Sequence, residues 1–264
     1  MTLTAEPITG ASKTSTSVRK ALGLLDAFRD GTHAVGVSEI SRRAGIPKST
    51  AFRLLATLEE CGFVERVGPL RTDYQLTWRV FELGNRVEYC APRGLRDIAL
   101  PYMSELWSAH HRAVHLAALA GDEVVILEKI HGHQAGRLLT STVGGRTSAH
   151  RTSLGKAILA FSGKETVEAV LARPLAPRTQ YSLVHPGQLV HQLHQAQREG
   201  VAYDREESRL GLTSVAAPIL RRGRAVAAVS LSSPTSGFSE SFTEAVKTAA
   251  RGITDALRAA DAAA

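Results

Sequence analysis

Apolar residues recur at helical spacing from the start of the patterned chain. Val18, Ala21, Leu22, Leu25 and Phe28 fall on one face, behind Ser15, Thr16 and Ser17 as candidate caps. This predicts a helix through about residue 29, stopped by Asp30-Gly31. Ser38 is placed to cap a second, short helix over 39–44, with Glu39 at its positive dipole end. Gly45 suits the left-handed position just past that helix, and Pro47 the first turn of a third one reaching about residue 60. In the third helix Ala51, Leu54, Leu55 and Leu58 share a face, while Ser49, Thr50, Arg53 and Thr57 take the other. Extended runs at 63–67 and 72–76, parted by Gly68-Pro69, predict a hairpin. Helix, helix, tight turn, helix and hairpin is the order of a winged helix-turn-helix.

The pattern then changes. Residues 78–89 predict a further helix through Val80, Phe81 and Leu83, and Ala91-Pro92-Arg93-Gly94 breaks it. The expected organisation is a flexible tail over 1–14, a DNA-binding winged helix-turn-helix over 15–76, a linker helix over 77–90 and a second domain over 91–264. In that domain Ile98, Met103, Leu106 and Trp107 suggest a helix, and 114–120 and 123–130 two strands joined at Gly121-Asp122. A strand at 137–143, helices at 155–161 and 188–199, a hairpin of 212–220 with 225–231, and an Ala-rich helix at 242–260 follow. This mixture predicts an α+β fold.

Composition narrows the partner. Of 264 residues 44% are hydrophobic and 22% charged, enough for two folded domains. Thirty-two Lys and Arg against 25 Asp and Glu leave +7, which favours a polyanionic partner without requiring one. Clustering is more telling: from Arg42 to Arg53 stand four basic residues and no acidic one. Small hydroxyls at Ser49 and Thr50 permit close approach to a phosphate or base, Lys48 and Arg53 add charge, and Arg53 has the reach for a guanine edge. Arg42 and Arg43, at the end of the preceding helix, are placed to grip the DNA backbone, and Arg66 and Arg71 flank the wing tip.

Other chemistries find little. Cys61 and Cys90 supply neither a disulfide framework nor a four-ligand zinc site. Gly155-Lys156 resembles a phosphate loop only faintly, since residue 157 is Ala and His150 stands where the first Gly belongs. No Gly-x-Ser-x-Gly elbow occurs, and none of the histidine pairs has ligand spacing. The expectation is no catalytic residue, metal or cofactor. Nothing reads as a signal peptide or a span of about 20 apolar residues, so a cytoplasmic protein without membrane contact is expected. An enzyme with an unrecognised site and a non-specific architectural DNA binder remain the alternatives. The second leaves the large α+β domain without a task.

The residues also carry a family resemblance. Ser17-Val-Arg-Lys-Ala-Leu-Gly-Leu-Leu-Asp-Ala-Phe, Ser38-Glu-Ile-Ser-Arg-Arg-Ala-Gly-Ile-Pro-Lys-Ser-Thr-Ala-Phe-Arg and Gly62-Phe-Val-Glu-Arg resemble the IclR family of bacterial transcription regulators. Val114-His-Leu-Ala-Ala-Leu-Ala-Gly-Asp-Glu, Ser148-Ala-His-Arg-Thr-Ser-Leu-Gly-Lys-Ala and Gly200-Val-Ala-Tyr-Asp-Arg-Glu-Glu extend the likeness across nearly the whole chain after residue 15. The resemblance implies a winged helix-turn-helix, a linker helix and a GAF-like effector-binding domain. It implies a repressor acting on double-stranded operator DNA as a homodimer or dimer of dimers, modulated by a small organic acid. The family's ligand-lining positions match Thr147, Ser153, Leu154, Asp204, Ser214, Ser230 and Ser232, with Ser214 standing where many members carry Cys. Hydroxyls and amides at a helix start suit a carboxylate. Asp204 would repel one unless protonated, or would accept from a ligand hydroxyl. Ser230 and Ser232 read equally well as outward polar positions of an alternating strand.

Overall fold

The computed structural model describes residues 15–29, 33–69, 72–90, 94–132 and 141–263. The chain divides into two compact units between residues 91 and 92.

The first unit contains α1 (Thr16–Asp26), β1 (Val35–Gly36), α2 (Val37–Ala44), α3 (Lys48–Glu60), β2 (Val64–Val67), β3 (Asp73–Leu76) and α4 (Trp78–Gly84). Its antiparallel sheet runs β1-β3-β2. Leu24, Phe28, Ile40, Leu55, Val64 and Tyr74 are among the side chains forming its core. The buried face of α3 is Ala51, Leu54, Leu55 and Leu58, as the periodicity predicts. The ends differ. α2 begins at Val37 behind Gly36, which puts Ser38 inside its first turn instead of at the cap. Pro47 is the N-cap of α3, one position earlier than expected. β1, at two residues, is too short to show an alternation. α4 stops at Gly84 and buries none of its residues, so no packing extends it to residue 89 as expected. The tail over 1–14 lies outside the described residues.

The second unit contains α5 (Leu95–His110), β4 (Ala113–Ala120), β5 (Glu123–Ile130), β6 (Arg146–Ser148), α6 (Ser153–Ala160), α7 (Lys164–Leu171), α8 (Pro186–Glu199), β7 (Ala202–Arg205), β8 (Leu212–Arg221), β9 (Arg224–Pro234) and α9 (Ser241–Ala262). The six strands form one antiparallel sheet in the order β6-β5-β4-β9-β8-β7. β8 and β9 join through Arg222 and Gly223, both at positive φ (53° and 78°), a type I′ turn. The strand expected at 137–143 is not found as such: 133–140 lie outside the described residues, 141–143 are not a strand, and the paired segment is the three-residue β6. α7 and β7 were not anticipated.

Register fixes which side chains share a face. His115 pairs with Ser230, Ala117 with Ala228, Ser214 with Ser232 and Asp204 with Ser214. Opposite residues point the same way, and alternate residues point oppositely. One face therefore carries His115, Ala117, Asp204, Ser214, Ala216, Ala228, Ser230 and Ser232. Its alanines join the core beneath α6, with Ala157 and Ile158. The alternate positions Val114, Leu116, Val215, Val229 and Leu231 are buried on the other face. α9 packs on β8 and α5 on β4.

Candidate functional site

In the first unit the turn between α2 and α3 is locked twice. The Ile46 amide donates to the Ser41 carbonyl at 3.2 Å, and Ser41 Oγ donates to the Ile46 carbonyl at 2.6 Å. Gly45, at φ 64° and ψ 30°, supplies the left-handed step between them. This fixes how α3 stands. Lys48, Ser49 and Arg53 are exposed and Thr50 half-buried. Neither Lys48 nor Arg53 forms an ion pair among the described residues. No side chain caps the start of α3.

Arg42, Arg43 and Arg66 make contacts within the protein. Arg42 binds Glu39 with two nitrogens, at 2.8 and 2.5 Å. Arg43 donates to the same carboxylate at 2.7 Å and reaches across to the Ala27 carbonyl at 2.7 Å, tying α2 to the end of α1. Hydrogen bonds from Arg42 and then Arg43 hold the Glu39 carboxyl at a pKa of about 2. The basic run thus carries a fixed negative charge at its edge that its own acid-free sequence hides. Arg66 donates to Glu59 at 3.0 Å and lies over the rings of Phe52 and Tyr74, with centroids at 5.2 and 5.4 Å. Arg71 lies outside the described residues.

In the second unit a cavity of about 280 Å³ is lined by the polar sheet face, the start of α6 and three loop segments, around Ser141–Gly145, Arg178 and Ser208–Arg209. All seven positions implied by the resemblance line it: Thr147 of β6, Ser153 and Leu154 of α6, Asp204 of β7, Ser214 of β8, and Ser230 and Ser232 of β9. Ser230 and Ser232 are 1% and 8% exposed, so the outward-facing alternative is wrong. Ser153 Oγ and Ser214 Oγ share a hydrogen bond of 2.7 Å between α6 and β8. The Thr152 side chain accepts from the Gly155 amide at 3.1 Å and caps α6.

Several cavity residues were not foreseen. His115 enters from β4, flanked by the apolar Val114 and Leu116; such a polar interruption of a buried strand was the available signal. Its Nε2 bonds Ser141 Oγ at 2.9 Å. Burial, with smaller contributions from Lys129 and His131, pushes its pKa down to about 3, so the ring is neutral. Arg146, Arg178 and Arg209 supply positive charge, and Ser141, Thr142, Thr152 and Ser208 further hydroxyls. The arginines come from loops and a short strand, where no periodicity marks them.

Asp204 accepts from the amides of Glu207 at 2.8 Å and Ser208 at 3.2 Å, and from Ser208 Oγ. Burial outweighs these bonds and raises its pKa to about 6. Beneath the cavity Lys156 is fully buried on α6, its Nζ donating to Glu207 at 2.6 Å and to Gln192 at 2.7 Å. Burial pulls the Lys156 pKa down, and the Glu207 carboxylate opposes that. Thr179 Oγ1 and Ser182 Oγ donate to the carbonyls of Glu206 and Glu207, each at 2.7 Å, stitching together the cavity loops that carry Arg178 and Arg209. Among the described residues no group of three or more His, Cys, Asp and Glu could hold a metal ion. No helix among them is long and apolar enough to cross a membrane.

Comparison with known proteins converges. The IclR helix-turn-helix domain matches residues 17–68, and the bacterial transcriptional regulator IclR C-terminal domain matches residues 87–257. The HTH-type transcriptional regulator KdgR of Dickeya chrysanthemi is 32% identical over 252 residues, 91% of this chain and 79% of that protein. The acetate operon repressor of Salmonella typhimurium is 32% identical over 237 residues, 88% of this chain and 84% of its own. These relatives are transcription regulators, not enzymes. Among solved structures, an IclR homolog from Microbacterium hydrocarbonoxydans complexed with 4-hydroxybenzoate superposes with a TM-score of 0.83 at 31% identity, covering 92% of this chain and 100% of that one. The Thermotoga maritima IclR gives 0.73 at 29%, covering 91% and 98%. A helix-turn-helix joined to an α+β unit with a polar cavity is thus accounted for: the chain belongs to the IclR family of transcription regulators, with a DNA-binding domain ahead of a ligand-binding domain through which an effector modulates regulation.

Proposed function

We propose that this regulator is a cytoplasmic repressor that binds operator DNA through α3 as a homodimer or dimer of dimers, and that a small organic acid in the cavity changes that binding. The repressor names among its relatives favour the sign. The carrying observation is the division of α3: a fully packed Ala51–Leu55–Leu58 side opposite Lys48, Ser49 and Arg53 in solvent. On this reading Ser49 and Thr50 approach the groove, Arg53 reads a base edge or grips a phosphate, and Arg66, Arg71, Arg42 and Arg43 serve the flanking backbone, Arg43 mainly by bracing α2. Residues 77–90 serve as the linker. Trp78, Phe81, Leu83 and Val87 are each more than half exposed, an apolar surface that a second copy would cover. In the cavity the arginines and the α6 start receive the carboxylate. The relative solved with 4-hydroxybenzoate supports an acid as effector. No catalytic role is assigned to any residue.

The test is fluorescence anisotropy on duplexes from the region upstream of the chain's own gene, against random duplexes, over a salt series. A sequence preference that survives at high salt, and that an added acid shifts, is the expected result. One steep salt slope with no preference would instead indicate an architectural binder. Sedimentation of the wild type and of Trp78→Ser/Phe81→Ser tests the dimer.

A further inference from the structure

The cavity's lining says more than that an acid enters it. Among the described residues that line it, nine are serine or threonine, one is a neutral histidine and one a carboxyl, whereas Ile126, Leu154 and Leu212 are the apolar side chains and no Phe, Tyr or Trp is present. The polar groups are also sorted. Arg178 and Arg209 belong to loops. His115, Ser230, Ser214 and Asp204 form the sheet floor, where registers put His115 opposite Ser230 and Asp204 opposite Ser214. Ser230 Oγ is buried and has no hydrogen-bond partner. A benzene ring or alkyl chain on this floor would return no hydrogen bond to Ser230, His115 or Asp204 and would leave the buried Ser230 hydroxyl without a partner. A ligand hydroxyl both donates and accepts. It can donate to the Asp204 carboxylate or to a bare imidazole nitrogen and accept from Ser230.

We infer that the effector is a polyhydroxylated aliphatic carboxylate, with its carboxylate toward the arginine-bearing loops and its hydroxyls read by His115, Ser230 and Asp204. This rests on the cavity being the effector site. A cavity of about 280 Å³ sits at the small end of ligand pockets, roughly 300–1,000 Å³, which suits a short chain.

Titration calorimetry on the full chain tests this with matched acids: gluconate against hexanoate, threonate against butanoate, glycerate against propanoate, and 4-hydroxybenzoate as the aromatic arm. The expected result is that at least one hydroxylated acid binds tenfold or more tighter than its bare counterpart and tighter than 4-hydroxybenzoate. Ser230→Ala, which removes only an unpartnered oxygen and leaves folding intact, should erode that ratio severalfold; Arg178→Gln should weaken both members of a pair. Bare acids or 4-hydroxybenzoate binding as tightly as the hydroxylated ones would overturn the ligand class and leave the effector-site reading standing. If no acid binds and none shifts operator affinity, both fall. A ratio unmoved by Ser230→Ala would overturn the floor's role.

Discussion

Replacing Lys156 with Met should cost this protein more stability than almost any other single change. The ammonium is fully buried and holds Glu207, itself 4% exposed, at 2.6 Å. Met fills much the same volume, so packing is nearly conserved and the change is electrostatic. Glu207 Oε2 already has no partner, and without Lys156 its Oε1 keeps only a long 3.5 Å contact from the Arg205 amide. Breaking such a buried pair costs about 3–5 kcal/mol, because a carboxylate remains without compensation. At about 2–4 °C per kcal/mol for a unit of this size, Tm should fall by roughly 6–20 °C. The double variant Lys156→Met/Glu207→Leu removes both charges and should recover most of the loss, since a buried ion pair is worth little more than well-packed apolar atoms. Thermal unfolding followed by circular dichroism at neutral pH reads both. Ligand affinity should not recover in the double variant: Glu207 also anchors the loop that carries Ser208 and Arg209 into the cavity. A single variant within about 1 kcal/mol of wild type, or a double variant no better than the single, would refute the reasoning.

Arg53→Ala should leave stability within about 0.5 kcal/mol, as its side chain is exposed, but lower operator affinity; a base contact predicts a loss of about 1–3 kcal/mol confined to one position, a phosphate contact a uniform loss and a shallower salt slope. Anisotropy on operator and mutated duplexes distinguishes these, and unchanged operator affinity would remove Arg53 from the interface. Gly155→Ala, ordinarily favourable inside a helix by about 1 kcal/mol, should be strongly destabilising here, because the added methyl would collide with the Ala149 backbone; a raised Tm would contradict the close seating of α6. Asp204 and His115 should give opposite pH slopes. Asp204 stays protonated to about pH 6 when folded but ionises near 4 when unfolded, so its contribution falls as pH rises between those values. His115 stays neutral down to about pH 3 when folded but is protonated below about 6.5 when unfolded, so its contribution rises over that range. Each slope is about 1.4 kcal/mol per pH unit, and between pH 4 and 6 they cancel. Asp204→Asn should therefore lose stability faster than wild type on acidification, and His115→Gln more slowly; Tm–pH curves parallel to wild type would show the two groups are not buried as described.

The winged helix-turn-helix was legible because its signals are local. The α3 stripe, Gly45 at positive φ and Pro47 at the helix start act over a few residues, and each survives in the fold. Those same local cues misplace the start of α2 and overextend α4, because a helix end depends on what packs against it. The cavity was legible in a different way. The resemblance supplied seven positions, and the fold brings all seven to one volume. Residue pattern alone left Ser230 and Ser232 undecided, since alternation reports a face but not whether that face meets water. His115, Arg178 and Arg209 reach the cavity through pairing and loop closure between residues far apart in sequence. Arg43 shows the converse: it looks like a DNA contact in sequence and spends two nitrogens inside the domain.

The sheet face that forms the cavity floor changes character along its length, and that change is what gives binding a mechanical consequence. Ala117, Ala216 and Ala228 lie beneath α6, where small side chains let the helix seat closely on the sheet, and Gly155 lets it seat against the Ala149 backbone. Beyond them the same face turns to His115, Ser230, Ser232, Ser214 and Asp204, and the helix start overhangs the gap. Ser153 on α6 and Ser214 on β8 face each other at 2.7 Å. On the proposed effector-site reading, a ligand group that bonds both hydroxyls sets the distance between a helix and a strand. β8 and β9 are one continuous hairpin, paired from Leu212↔Pro234 to Arg221↔Arg224. A molecule touching only that hairpin would bind alike in any arrangement of the protein and could shift none of them. On the proposed effector-site reading, regulation requires contacts that span α6, the hairpin and the loops of Arg178 and Arg209. Affinity and regulatory effect should consequently separate among ligands: a compound that binds the floor without reaching Ser153 would occupy the cavity and leave operator binding unmoved.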